Sequence, residues 1–185
     1  MDELTESQFD KLESADKNDQ FAAFDYIMTA ITQPVDWAYE IWEQLKTDLV
    51  HRDSHRRSRA AQFLAGLAIS DPEQRIVRDF AAVWEVTRDP RFVTARHSLQ
   101  SIWRIGLAGQ QQLDLALGAL ASRFRTCAAE KNGGLIRFDI MDSLKKLYDA
   151  TGNDSVRQTV AELIELEQDD KNRKKLEAVW KVKPG

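Results

Sequence analysis

The chain has 185 residues, 43% of them hydrophobic and 30% charged, and carries a formal net charge of −4. Eight Gly and four Pro leave little material for the tight turns of a β-sandwich, and the single cysteine, Cys127, excludes an internal disulfide framework and a cysteine-based zinc site. The acidic opening Met1-Asp2-Glu3-Leu4-Thr5-Glu6 lacks the basic and apolar regions of a secretory signal, and no apolar run approaches the roughly 18 residues of a membrane helix. A soluble, unprocessed chain without membrane contact is expected, in the cytoplasm, where a lone thiol stays reduced.

Charge is unevenly spread. Residues 1–50 hold twelve acidic and three basic side chains, residues 51–137 eight and fourteen, and residues 138–185 ten and nine. An acidic front and a basic middle can steer an anionic partner to the middle. Arginine-rich helices give the same pattern when their long stems simply cover apolar surface.

Residues 1–18 are polar, with a capping box at Thr5-x-x-Gln8 and only Leu4, Phe9 and Leu12 to bury, which predicts a short helix or an acidic arm ahead of one helical domain over 19–180. Phe21, Phe24, Ile27, Met28 and Ile31 predict a helix over about 20–32 that Gln33-Pro34 stops. Trp37, Ala38, Ile41, Trp42, Leu45 and Leu49 carry the next stripe. After a break at His51-Arg52-Asp53-Ser54 the stripe resumes as Ala60, Ala61, Leu64, Leu67 and Ala68. Asp71-Pro72-Glu73-Gln74 reads as a cap with proline at the first helical position, ahead of Ile76, Phe80, Val83, Trp84 and Thr87. Asp89-Pro90 repeats the signal and predicts one helix from 91 to 107, closed by Gly109. Leu113, Leu117, Leu120 and Phe124 mark another helix, Glu130-Lys131-Asn132-Gly133-Gly134 a loop, and Ile140, Met141, Leu144, Leu147 and Tyr148 the helix after it. A turn at Gly152-Asn153-Asp154 leads to Val156, Val160, Leu163 and Ile164, then to a short final helix with Leu176, Val179 and Trp180. The tail Lys181-Val182-Lys183-Pro184-Gly185 is expected to be disordered.

The stripes superpose. Ile76, Phe80, Val83 and Thr87 align with Leu113, Leu117, Leu120 and Phe124 at an offset of 37, and those with Val156, Val160, Leu163 and a polar Glu167 at 43. A second series aligns Ala61, Leu64 and Leu67 with Leu99, Ile102 and Ile105 at 38, then with Met141, Leu144 and Leu147 at 42. Two series sharing a period of about 40 residues describe a repeated helix hairpin, the signature of an α-solenoid.

Asp71-Pro72-x-x-x-Ile76-Val77-Arg78-x-x-Ala81 and Asp154-Ser155-Val156-Arg157-x-x-x-Ala161 resemble the second-helix consensus of HEAT repeats, with Asp89-Pro90-Arg91-Phe92-Val93-x-Ala95-Arg96 a looser match. The resemblance covers about residues 36–167. It implies an all-α superhelix of about four stacked hairpins, 20–33/35–50, 54–70/72–87, 91–107/110–128 and 136–150/153–167, with shifted pairing or a non-repeat helical bundle as alternatives. It also implies a protein-binding scaffold, not an enzyme.

The chemistry-bearing residues fit that reading. His51 and His55 are four apart, but Asp53-Ser54 interrupts them and no third ligand is near, so no metal is expected. The repeated His-Glu dipeptides of HEAT-type iron hydroxylases are absent, as are a phosphate loop and a Gly-x-Ser-x-Gly elbow, and no catalytic residue or cofactor is assigned. Cys127 has no histidine partner in sequence and reads as a packing residue.

The arginines of the middle are the functional lead. Arg56, Arg59, Arg75, Arg78, Arg96 and Arg104, with Trp103, are the candidate binding residues. Projecting from successive hairpins, they suit an acidic segment of another protein, since guanidinium groups grip carboxylates two bonds at a time and Trp and Arg are enriched at binding hot spots. Two alternatives compete. The arginines pair with acidic neighbours such as Asp79, Glu85 and Asp89, or the surface takes nucleic-acid phosphates, as in the helical-repeat DNA glycosylases.

Overall fold

The structure is a computed structural model that describes residues 1–180, so the tail at 181–185 lies outside the described residues. Among those residues the chain is all-α, with ten α-helices and no strand. Its contacts gather into two compact units, Met1–Ser98 and Leu99–Gly185.

The first unit holds α1 (Glu3–Lys11), α2 (Lys17–Ala30), α3 (Ala38–Asp48), α4 (Ser54–Leu67), α5 (Arg75–Val86) and all but the last residue of α6 (Phe92–Leu99). Three of these helices start on an aspartate. Asp2, Asp16 and Asp53 accept hydrogen bonds from the backbone N–H groups of Thr5, Asn18 and His55 at 2.7, 2.8 and 2.7 Å, each satisfying a donor the helix leaves open. The expected capping box at Thr5 is therefore displaced. Asp2 is the cap of α1, and Thr5 and Gln8 are buried. Phe9 makes edge contacts with Trp37 and Phe63 at 5.8 and 6.0 Å, which seats α1 on the unit.

The inward face of α2 is Ala23, Ile27 and Ile31, four residues apart, while Phe21, expected in the core, is 72% exposed. Two residues ahead of Ala23, Phe21 falls on the far side of the helix. The main neighbours of α2 are α1 and α4, and those of α3 are α4 and α5, so the packing departs from the expected 20–33/35–50 pair. Trp42 is fully buried and donates its indole N–H to Asp79 at 2.9 Å, tying α3 to α5.

Both Asp-Pro signals open helices later than expected. After Asp71-Pro72 the chain makes a turn with Gln74 in the left-handed region (φ 54°), and α5 begins only at Arg75. Asp71 still acts as a cap, from five residues away: it accepts from the Ile76 N–H at 2.7 Å and from the Tyr39 hydroxyl at 2.5 Å, and that hydroxyl accepts from the Glu73 N–H at 2.8 Å. Burial and the bond to the Asp71 carboxylate raise the Tyr39 phenol above its ordinary pKa. Tyr39→Phe removes a donor from Asp71 and an acceptor from Glu73. It is expected to lower stability by about 1–2 kcal/mol, read as a lower urea midpoint at unchanged m-value.

Asp89 accepts from the Arg91 N–H at 2.8 Å, and α6 follows at Phe92. The expected single helix over 91–107 is instead α6 followed by a 3-10 segment, Ile102–Leu107. Side chains three apart eclipse in a 3-10 helix, which puts Ile102 and Ile105 on one fully buried face. A Cβ on Gly106 would stand 2.8 Å from Leu147 Cδ1, so a larger residue there would have to push the buried Leu147 side chain aside.

The second unit packs this segment with α7 (Gln110–Thr126), α8 (Gly133–Thr151), α9 (Asp154–Glu165) and α10 (Asp170–Trp180). The expected loop at 130–134 is shorter than the sequence suggests, because α8 begins at Gly133. A Cβ there would come within 2.3 Å of the Cys127 carbonyl oxygen. Cys127 itself is buried, which raises its thiol pKa. Gly152 ends α8 in the left-handed region (φ 61°), and Asn153 caps α9 by accepting from the Ser155 N–H at 2.9 Å.

Every position of the two superposed series is buried, from Ala61 to Leu147 in one and from Ile76 to Glu167 in the other. The polar member is matched by a partner. Glu167 accepts from Arg137 at 2.8 Å, and Arg137 donates its Nε–H to the carbonyl of Phe124, the residue at the equivalent position one period earlier.

Candidate binding site

Within the first unit most of the expected binding arginines are engaged. Arg56 and Arg59 lie on α4 with stems against the unit and charges on Glu13, one arginine to each carboxylate oxygen, and Arg59 also donates to the Leu12 carbonyl at 2.7 Å. The three side chains rim a cavity of about 370 Å³ walled by Phe9, Leu45, Ala60 and Phe63. Arg57, outside the candidate set, grips Asp89 with two bonds of 2.5 and 3.0 Å. The Arg75 guanidinium rests 3.9 Å from the Tyr39 ring centroid and donates to Glu73 at 3.0 Å. Asp79 takes Trp42 and Lys46, the latter at 3.2 Å, and no arginine among the described residues.

Arg78 is exposed on α5 with no acidic partner among the described residues. The Arg96 guanidinium lies 6.0 Å from the Phe92 ring centroid. Neither is buried.

The second unit holds Trp103 and Arg104, both on the 3-10 segment. Because Ile102 and Ile105 hold one face of the segment in the core, the two residues between them project away from it. The Arg104 guanidinium sits 5.4 Å from the Trp103 ring centroid, within cation–π range. Three residues on, exposed Leu107 shares its column. Among the described residues Arg104 has no carboxylate partner, and burial pushes its guanidinium below the ordinary arginine pKa. An arginine stays charged even so, and its five donors are aligned for a planar anion. Chemically, the pair can hold a carboxylate by the guanidinium and an apolar neighbour by the indole.

Sequence reading missed a concavity of about 400 Å³ between α8 and α10, edged by Leu135, Phe138 and Lys175. Leu135 and Phe138 fall off the Ile136–Ile140 stripe, three apart, and that spacing was the only signal available. Among the described residues no group of three His, Cys, Asp or Glu side chains is placed to hold a metal ion, and no helix is long and apolar enough to cross a membrane. No protein-family model matches the chain, and no curated protein matches it in sequence.

Proposed function

We propose that the chain is a HEAT-like helical-repeat scaffold that binds an acidic segment of another protein, with Arg104 and Trp103 as the anchor. Two features support the repeat: the shared burial of the superposed positions, and the next-but-one packing of α2 on α4, α3 on α5, α7 on α9 and α8 on α10 within the units.

The binding reading is carried by one observation. Arg104 is partly buried against Trp103 without an acidic partner among the described residues, whereas Arg56, Arg57, Arg59 and Arg75 are neutralised by carboxylates of their own unit. Desolvation of the Arg104 guanidinium is met when the chain folds, so an arriving aspartate or glutamate gains charge-assisted hydrogen bonds at a preorganised donor. The indole gives the partner's adjoining apolar group a surface.

A pull-down with the immobilised protein at low and high salt tests this. A discrete protein retained by the wild type is expected to lose about 2 kcal/mol of affinity, roughly thirtyfold, on Arg104→Ala or Trp103→Ala. Retention unchanged by both substitutions overturns the reading. Nucleic acid that elutes with salt replaces it with a phosphate-binding function.

A further inference from the structure

We propose that the concavity between α8 and α10 is a second docking groove, which takes a short peptide segment combining aliphatic and acidic side chains. The two lips differ in chemistry. From α8, Leu135 and Phe138 are each 40% exposed and, three apart on one helix, present their apolar surface on the same side. From α10, Asn172 and Leu176 line the groove one turn apart and Lys175 stands beside them.

The floor supplies no net charge. Arg137 and Glu167 lie there as a 2.8 Å ion pair with side chains only 10% and 7% exposed, so each cancels the other. What remains in the lining is cationic: Lys175 is exposed, and Lys171, one turn before it on the same helix column though outside the lining, is exposed too, and neither lysine has an acidic partner among the described residues. Arg173 does not compete for the partner, because it donates to the Glu167 carbonyl at 3.0 and 2.5 Å. An apolar lip facing an unneutralised lysine lip fits an occupant with aliphatic side chains on one side and carboxylates on the other, in the manner of an acidic amphipathic segment. A basic segment would meet like charge, and a purely apolar one would leave the lysines no partner.

The proposal does not rest on Arg104, which sits on the 3-10 segment and does not line this groove. The test is fluorescence anisotropy with a fluorescein-labelled octapeptide of alternating leucine and glutamate, against the same peptide with lysine in place of glutamate. The acidic peptide is expected to bind the full chain. Lys171→Glu/Lys175→Glu and, separately, Phe138→Ser are each expected to weaken it by about tenfold or more while the far-UV circular dichroism is unchanged. The peptide also suits the Arg104 anchor, so the readout is the part of the binding that Phe138→Ser removes: that part is expected to survive Arg104→Ala, which keeps loss of the anchor and loss of the groove separately readable. Equal affinity for the lysine peptide, or binding indifferent to both the lysine reversal and Phe138→Ser, overturns the proposal. So does self-association of the free chain that Phe138→Ser abolishes, or sedimentation with phosphatidylserine vesicles in place of peptide binding, since either puts a different occupant on the groove.

Discussion

Replacing Glu167 with alanine is expected to destabilise the second unit by about 3–5 kcal/mol, the cost of leaving one member of a buried ion pair without its counter-charge. Arg137 is held from three sides: by Glu167 at 2.8 Å, by the Phe124 carbonyl at 3.1 Å, and by the Phe124 ring, whose centroid is 4.6 Å from the guanidinium carbon. Removing the carboxylate leaves the guanidinium charged and nearly closed off from water. The carboxylate also accepts from the Asp169 N–H at 3.1 Å, at the turn leading into α10, so the same substitution frees the start of that helix. A shift of the thermal or urea midpoint measures the loss. The double substitution Arg137→Met/Glu167→Leu is expected to recover most of it, because a well-packed apolar pair of similar volume has no charge to desolvate. If Glu167→Ala is tolerated within about 0.5 kcal/mol, the pair is not buried in solution as it is here.

The contrast between Glu167 and the rest of its series shows how much of this fold is written locally. Period and stripe gave nearly every helix, because burying one face is a repeating demand on sequence and equivalent positions answer it alike. The break at 51–54 and the turn at 152–154 were equally readable, and each holds a cap, Asp53 and Asn153, whose short polar side chain reaches the backbone two residues on. Asp71-Pro72 misled for a non-local reason. Its carboxylate is shared between Tyr39, 32 positions away, and the Ile76 N–H, so it caps α5 from five residues back across a turn that sequence alone does not show. The 3-10 turn at Ile102 and Ile105 is hidden in the same way, because a spacing of three also suits an α-helix.

The candidate site divides along the same line. Which residues are arginine is plain from sequence, and so is their concentration in the middle. Whether each charge is engaged is not. Arg56 and Arg59 meet Glu13 from 43 and 46 positions away, and Arg57 meets Asp89 across 32, distances that only tertiary packing closes. Arg104 stands out only after those pairs are known. A guanidinium becomes informative when it is withdrawn from water and still lacks a carboxylate, and both conditions are properties of the fold.

The other large effect is expected at Trp42. Trp42→Ala removes a fully buried indole and the donor to Asp79, and is expected to cost the first unit about 3–5 kcal/mol from lost transfer free energy and the cavity left behind. Tyr39 also loses a neighbour, an edge-on ring contact at 5.9 Å, so the latch at the start of α5 is disturbed from the same side. Trp42→Phe separates the two contributions. It restores most of the ring volume but offers Asp79 no N–H, leaving that carboxylate to Lys46 at 3.2 Å. Asp79 keeps a charged partner near the surface, so the hydrogen bond is worth about 1 kcal/mol and the phenylalanine variant is expected to retain most of the wild-type stability. Paired urea titrations decide between volume and hydrogen bond: a phenylalanine variant as unstable as the alanine variant would mean that Asp79 depends on the indole N–H and that Lys46 does not hold it in place.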